Sequence, residues 1–199
     1  MVATTERKRT VKLTELSVAG AYLLDSPVHG DERGLFREWF KETDLTASGV
    51  TFEVRQANLS RSARGVVRGL HYSLAPQGQA KLVTCVEGTL DEVIVDIRLG
   101  SPTFGAVVYL ELNASDGASL YVPAGTAHGF CVISQNASLA YLLSSPYNPQ
   151  FEFEINPMDQ AVAVPWRLSG PAILATKDAD APSLDLRRER NELPTYSSS

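Results

Sequence analysis

The chain has 199 residues, 44% of them hydrophobic, enough to bury the core of one domain. A net charge of -5 excludes a general nucleic-acid binder, although local basic residues remain free to hold one phosphorylated small molecule. No apolar run approaches the ~18 residues of a membrane-spanning helix, so no membrane partner is expected. The two cysteines, Cys85 and Cys131, lie in apolar strand-like runs and read as buried free thiols of a reducing cytoplasm. Met1 to Thr10 is polar and basic with no apolar stretch behind it, which reads as a loose tail rather than a secretion signal. The whole chain, 1–199, is expected to form a single domain with loose tails at 1–10 and 195–199.

In chain order, the periodicity predicts mostly short strands. His29-Gly30-Asp31 turns the chain, and Leu35–Phe40 follows as a strand. Glu42–Ala47 makes one or two helical turns. Strands are expected over Phe52–Ser60, Val66–Ser73 and Ala80–Val86, with Ala75-Pro76-Gln77-Gly78 turning the chain between the last two. Beyond the turn at Glu87-Gly88, Val93, Val95 and Ile97 alternate with Ile94 and Asp96 in a strand over Leu90–Arg98. Gly100-Ser101-Pro102 ends it, and Phe104–Leu112 follows. Ser115-Asp116-Gly117 leads to Ser119–Val122, Gly129–Ser134 and Ser138–Ser144. Near the end, Ser183 caps a short helix through Glu189 that Pro194 stops. Many short strands with regular turns predict an antiparallel sandwich or barrel.

Several residues in these strands carry chemistry. His71, in Arg68-Gly69-Leu70-His71-Tyr72, is either a satisfied structural histidine or a group that moves protons near neutral pH. Arg68 lies three positions before it and would face the other way in a regular strand. Gly69 between them marks either a bulge that turns both into one pocket or a simple kink. Lys81 shares a face with Val83 and Cys85. It is either a lysine snorkelling from a strand end or a cation that stabilises a developing oxyanion in a cavity. Val54, Gln56, Asn58 and Ser60 share another face, which reads as a wet interior. Tyr141 alternates with Leu139 and Leu143 and is either core or a general acid. Tyr147, in the proline-bounded Ser145-Pro146-Tyr147-Asn148-Pro149, offers a ring for stacking. Arg33, in Asp31-Glu32-Arg33-Gly34-Leu35-Phe36-Arg37-Glu38, belongs to a solvated hairpin or makes a fork for phosphate. His128 enters a strand from Pro123-Ala124-Gly125-Thr126-Ala127. The three histidines, His29, His71 and His128, contain no His-x-His pair, so no catalytic metal is expected. No glycine-rich dinucleotide fingerprint is present either. Acid–base chemistry without a cofactor is the expectation.

These strings together resemble the dTDP-4-dehydrorhamnose 3,5-epimerase family, cofactor-independent sugar-nucleotide epimerases of the cupin superfamily. The resemblance runs from about Leu13 to Leu184. It rests on Asp31 to Glu38, Gln56-Ala57-Asn58-Leu59-Ser60, Arg68 to Tyr72, Gln79-Ala80-Lys81-Leu82-Val83, Asp96 to Gly105, Ala127-His128-Gly129-Phe130, Tyr141 with Tyr147-Asn148-Pro149, and Lys177-Asp178. It implies a cupin-type antiparallel jelly-roll barrel with a few short peripheral helices, a homodimer, and a dTDP-linked 4-keto-6-deoxy sugar as substrate. By the family pattern His71 is the base, Asp178 orients it, Lys81 steadies the enolate oxygen and Tyr141 is the acid on the opposite face. Arg33, Arg68 and Lys177 would grip the diphosphate or the base, and Phe36 and Tyr147 would frame the thymine. Glu38, Gln56, Asn58 and His128 match further pocket positions. The chain departs from the pattern at Ser73, at Pro165-Trp166-Arg167 and at Ala175-Thr176. The alternatives are an epimerase acting at C3 or C5 alone and a non-catalytic sugar-nucleotide-binding barrel.

Overall fold

The alternation of apolar and polar residues builds two antiparallel sheets that close face to face. The structure is a computed structural model describing residues 11–76 and 78–197. Its elements are β1 (Lys12–Glu15), β2 (Tyr22–Asp25), β3 (His29–Asp31), β4 (Gly34–Phe36), α1 (Glu42–Thr46), β5 (Gln56–Ala63), β6 (Val67–Ser73), β7 (Lys81–Glu87) and β8 (Thr89–Val95). They continue with β9 (Val107–Asn113), β10 (Ala118–Val122), β11 (Ala127–Val132), β12 (Asn136–Leu143), β13 (Glu152–Glu154), α2 (Thr176–Ala179) and α3 (Leu184–Glu189). One sheet has six strands in the order β1-β2-β10-β7-β12-β5, and the other five in the order β13-β6-β11-β8-β9. From β5 onward the chain mostly switches sheet at each turn, as a jelly roll requires. The turn between β7 and β8 needs Gly88. It sits at φ +76°, and a Cβ there would lie 2.2 Å from the Asn136 carbonyl oxygen.

Three apolar layers hold this arrangement. Val83, Cys85, Leu90, Ile94, Leu120, Phe130 and Leu139 meet between the sheets. Leu70, Tyr72, Val93, Val95 and Ile155 form the outer face of the five-stranded sheet, covered by Val162, Leu184 and Leu193. Leu82, Tyr121 and Leu142 form the outer face of the other sheet, under Leu45 and Phe52. The two cysteines are free and buried, as expected.

The boundaries depart from the sequence reading where side chains leave the ladder. The strand expected over Phe52–Ser60 runs instead over Gln56–Ala63, because β12 pairs it from Leu143↔Gln56 to Asn136↔Ala63. Phe52 is spent on the outer layer. The strand expected over Leu90–Arg98 ends at Val95. Beyond it the Asp96 carboxylate takes bonds from Arg98, Ser101 and Thr103 and rolls the chain into a turn. Strands β1, β2 and β13 and helix α2 were not expected from the periodicity, His29–Asp31, read as a turn, forms β3, and the strand expected over Leu35–Phe40 runs instead over Gly34–Phe36. Ser183 does cap α3, accepting from the Leu186 N–H at 3.2 Å. The helix ends at Glu189 as expected, and the chain turns away at Asn191 before Pro194 is reached. Asn191 adopts φ 56°, and the Glu192 and Asn191 N–H groups return to the Arg187 and Arg188 carbonyls.

The expected loose tail at 195–199 is corrected in part. Thr195 bridges Leu99, the Tyr196 N–H donates to the Leu99 carbonyl at 2.9 Å, and Arg98 lies over the Tyr196 ring. Residues 1–10, 198 and 199 lie outside the described residues.

Candidate active site

The site begins with a bulge. Strand β6 spends three steps from Arg68 to His71 while β11 spends two from Phe130 to His128, and the register shifts between them. The extra residue puts Arg68 and His71 on the same face, which decides for the bulge over the kink. Only glycine fits at position 69. Its φ is +121°, and a Cβ would lie 2.7 Å from the Gly129 Cα and the His128 carbonyl oxygen, both backbone atoms. Gly69→Ala is therefore expected to cost at least ~1–3 kcal/mol of stability and to misplace His71. A melt and a turnover assay check this, and a variant with unchanged melting and turnover would contradict it.

Helix α2 brings Asp178 to His71. The His71 Nε2 lies 2.8 Å from Asp178 Oδ1, and the Gly69 N–H approaches Oδ2 at 3.4 Å. Asp178 is buried, which by itself raises its carboxyl. The His71 bond, the charge of that ring, the Gly69 N–H and Lys177 outweigh burial and hold it below the usual carboxylate range. An ionised Asp178 accepts only, so Nε2 carries the hydrogen and the lone pair is left on Nδ1. That tautomer makes Nδ1 a base.

The facing sheet supplies the counterpart. Registers across β7, β12 and β5 form three rows: Cys85–Leu139–Ser60, Val83–Tyr141–Asn58 and Lys81–Leu143–Gln56. The rows change from apolar to polar along the strands, so the core opens into a wet end at Lys81 and Gln56. Of the residues read as a wet interior, Gln56 and Asn58 lie toward this end, whereas Val54 is exposed ahead of β5 and Ser60 sits in the apolar row with its Oγ buried and without a hydrogen-bond partner. Lys81 is 8% exposed, and its Nζ donates to Gln79 Oε1 at 2.9 Å. Gln79 in turn donates to Glu152 Oε1 at 3.4 Å. Burial pushes the Lys81 ammonium down to about 8, with the Glu152 charge pulling the other way. Lys81 is thus a buried cation rather than a snorkelling one. Tyr141 is half-buried against the core between the sheets. Gln56 bonds Asn58 at 3.0 Å and accepts the Tyr147 N–H at 2.9 Å, which ties the loop carrying the exposed Tyr147 ring to the site.

Two carboxylates here were not singled out from the sequence. Glu92 is fully buried on the inner face of β8 and holds His128 through Nε2. Burial raises its carboxyl, opposed by His128, and its Oε1 has no hydrogen-bond partner. The signal was present, because alternation places Glu92 with Leu90 and Ile94 on the apolar face. Glu154, on β13, lies directly opposite His71 in register and bonds Lys177 Nζ at 2.7 Å. Its signal was the alternation Phe151-Glu152-Phe153-Glu154-Ile155. The His71, Glu154 and Asp178 ligand atoms lie within 4.8 Å of one another, close enough to touch one cation, and the Lys177 ammonium already sits on Glu154.

The structure thus brings His71, Arg68 and His128 on one sheet together with Asp178 and Lys177 of α2, and Lys81, Tyr141, Gln56 and Asn58 on the other sheet. Arg68 donates to Ser62 Oγ at 3.1 Å, spanning the two. Arg33, Phe36 and Glu38 are not part of this assembly within one chain. Arg33 pairs with Asp31 at the hairpin tip, and Phe36 is 65% exposed. The hairpin docks through Arg37, which bonds Thr84 Oγ1 and the Cys85 carbonyl. Thr84 lies on the face of β7 turned away from Val83 and Cys85, so the hairpin sits outside the sandwich.

A base and its carboxylate facing a buried ammonium and a phenol can move a proton off one face of a carbon and onto the other. Proteins similar to this chain carry names of that chemistry. A family model described as dTDP-4-dehydrorhamnose 3,5-epimerase matches residues 15–185. A dTDP-4-dehydrorhamnose 3,5-epimerase of Mycolicibacterium smegmatis is 43% identical over 183 residues, covering 92% of this chain and 90% of that one. A dTDP-4-dehydrorhamnose 3-epimerase of Streptomyces niveus is 40% identical, covering 94% of this chain and 90% of that one. Among solved structures, a 4-keto-6-deoxy sugar epimerase of the novobiocin biosynthetic gene cluster of Streptomyces spheroides superposes with TM-score 0.90 at 38% identity, covering 98% of both chains.

Proposed function

This chain belongs to the dTDP-4-dehydrorhamnose 3,5-epimerase family, and we propose that it inverts C3 and C5 of a dTDP-linked 4-keto-6-deoxyhexose through an enolate. The observation that carries the reading is the placement of His71, held by Asp178 of α2, on one sheet and of Lys81 and Tyr141 on the other. The C4 ketone acidifies the hydrogens at C3 and C5. His71 Nδ1 takes one as a proton, and the electron pair of that C–H bond passes to the C4 oxygen. The Lys81 ammonium stabilises that oxyanion in a buried site, where charge is worth more than in water. The Tyr141 hydroxyl then delivers its proton to the opposite face of the carbon, and the ketone reforms. Exchange with solvent removes the proton from His71 and restores the one on Tyr141. The ketone supplies the acidity, so the steps call for neither metal nor redox cofactor.

Arg68, His128, Gln56, Asn58 and Lys177 are assigned to the sugar and diphosphate, and Tyr147 to stacking on the base. Arg33, Phe36 and Glu38 are assigned to the site of a second copy in a homodimer, which accounts for a hairpin that stands outside its own sandwich. The free buried thiols fit a cytoplasmic enzyme. No helix among the described residues is long and apolar enough to cross a membrane.

The second reading is epimerisation at C3 alone. It is favoured by the near-equal identity to the Streptomyces niveus 3-epimerase. Trapping the product of dTDP-4-keto-6-deoxyglucose with a 4-ketoreductase separates the two. An L-rhamno-configured product supports double inversion, a D-configured product inverted at C3 supports the second reading, and unchanged substrate overturns both.

The Lys81 ammonium sets the alkaline side of the profile. It is charged below about 8 and neutral above, and only the charged form stabilises the enolate. The rate at low substrate is therefore expected to fall as pH rises through about 8. Lys81→Arg should remove this limb while lowering the rate. A limb unchanged in Lys81→Arg would assign it to another group.

A further inference from the structure

We propose that Glu154 is a positioning residue for proton removal, its carboxylate stabilising the imidazolium that forms on His71 while Lys177 holds it in place. The inference rests on the base role proposed for His71. Glu154 lies beside His71 in the β13–β6 register, and its backbone and side chain are both held. Its carbonyl accepts from Arg187 Nε at 2.9 Å, and Arg187 also covers the neighbouring Phe153 ring. Its carboxylate accepts from Lys177 Nζ at 2.7 Å. With a neutral imidazole, the two carboxylates Asp178 and Glu154 exceed the single ammonium of Lys177 by one negative charge. Uptake of one proton by His71 makes the cluster neutral. The carboxylate and ring atoms lie within 4.8 Å of one another, the range in which an opposite charge favours the charged form of a titrating group. Asp178 alone orients the ring, and Glu154 completes the charge that proton removal calls for.

The other groups facing His71 do not supply that charge. His128 pairs with Glu92 across the next strand, and Arg68 on β6 itself is bonded to Ser62. Lys81 lies on the opposite sheet and is occupied with Gln79.

The test is the isosteric Glu154→Gln. Its turnover is expected to fall about tenfold, with KM and dTDP binding unchanged, because the amide oxygen still accepts from the Lys177 ammonium and keeps that side chain in place while the charge is removed. The acid limb of its rate profile should move to lower pH. Lys177→Met, which leaves Glu154 uncompensated, should move that limb the other way. Titration of the His71 ring by NMR, assigned by comparison with His71→Asn, reads the same effect with no substrate present. It therefore stands even if the wild-type protein exchanges no proton from the proposed sugar, an outcome that would count against the function and not against this inference. Unchanged turnover and an unchanged His71 titration in a folded Glu154→Gln would overturn it. A fall in turnover accompanied by a rise in KM would also overturn it, by making Glu154 a tether for Lys177. Glu154→Asp, which keeps the charge, should recover most of the lost turnover and the original titration. A Glu154→Asp as impaired as Glu154→Gln would overturn the charge argument.

Discussion

His71→Ala is expected to abolish hydrogen exchange at both C3 and C5 while leaving dTDP binding nearly intact. The same ring is assigned to both carbons, since His71, paired to Asp178, keeps 32% of its side chain exposed while His128, paired to Glu92, is buried. The other inner-face histidine, His128, is closed off by Glu92. A positioned general base is worth ~10²–10⁴ in rate, so loss of His71 leaves only the stabilisation of the enolate by Lys81. The nucleotide end is assigned to other residues, and truncating a side chain that is 32% exposed leaves no closed cavity. The assay is proton NMR in deuterated water together with calorimetry of dTDP. Retained exchange in His71→Ala would remove it as the base, and loss of dTDP affinity would instead make it a binding residue.

Tyr141→Phe is expected to separate the two halves of the reaction. The phenol sits on the sheet opposite His71, in the row with Val83 and Asn58, and its ring also packs on the core between the sheets. Removing only the hydroxyl keeps that packing. Proton removal by His71 then continues, while return of a proton to the opposite face slows by ~10²–10⁴. Wash-in of deuterium without inversion should therefore persist in the variant, because the enolate is reprotonated from the face it came from. Equal loss of exchange and inversion would mean that Tyr141 acts through packing.

What was legible in the sequence depended on whether a signal was local. Lys81 was placed with Val83 and Cys85, and Tyr141 with Leu139 and Leu143, by period alone, and the registers keep both rows of neighbours on one face. The bulge at Gly69 was one of two options until the register with β11 chose it. The pairing of His71 with Asp178, more than a hundred residues apart, came with the family resemblance and not from periodicity. Arg33, Phe36 and Glu38 show the opposite limit. Residue type and resemblance gave them a binding role, but the docking of their hairpin by Arg37 onto the outer face of β7 is a tertiary event that no local pattern encodes. Glu92 and Glu154 were missed for different reasons. Glu92 stands beside Asp91 in a segment, Leu90–Arg98, that also carries Asp96 and Arg98, so its charge did not stand out, and Glu154 lies on a three-residue strand too short for periodicity to stand out. The end of α3 at Glu189 was legible, but the left-handed turn at Asn191 that follows it was hidden by the louder signal of a proline three residues later.

The most direct test of cofactor-free inversion through an enolate is proton NMR of dTDP-4-keto-6-deoxyglucose incubated with the purified protein in deuterated water, with no metal or nicotinamide added. The account predicts loss of the C3 and C5 hydrogen signals as deuterium enters from solvent, with exchange abolished in His71→Ala. Bound dTDP-sugar with both signals intact would contradict it.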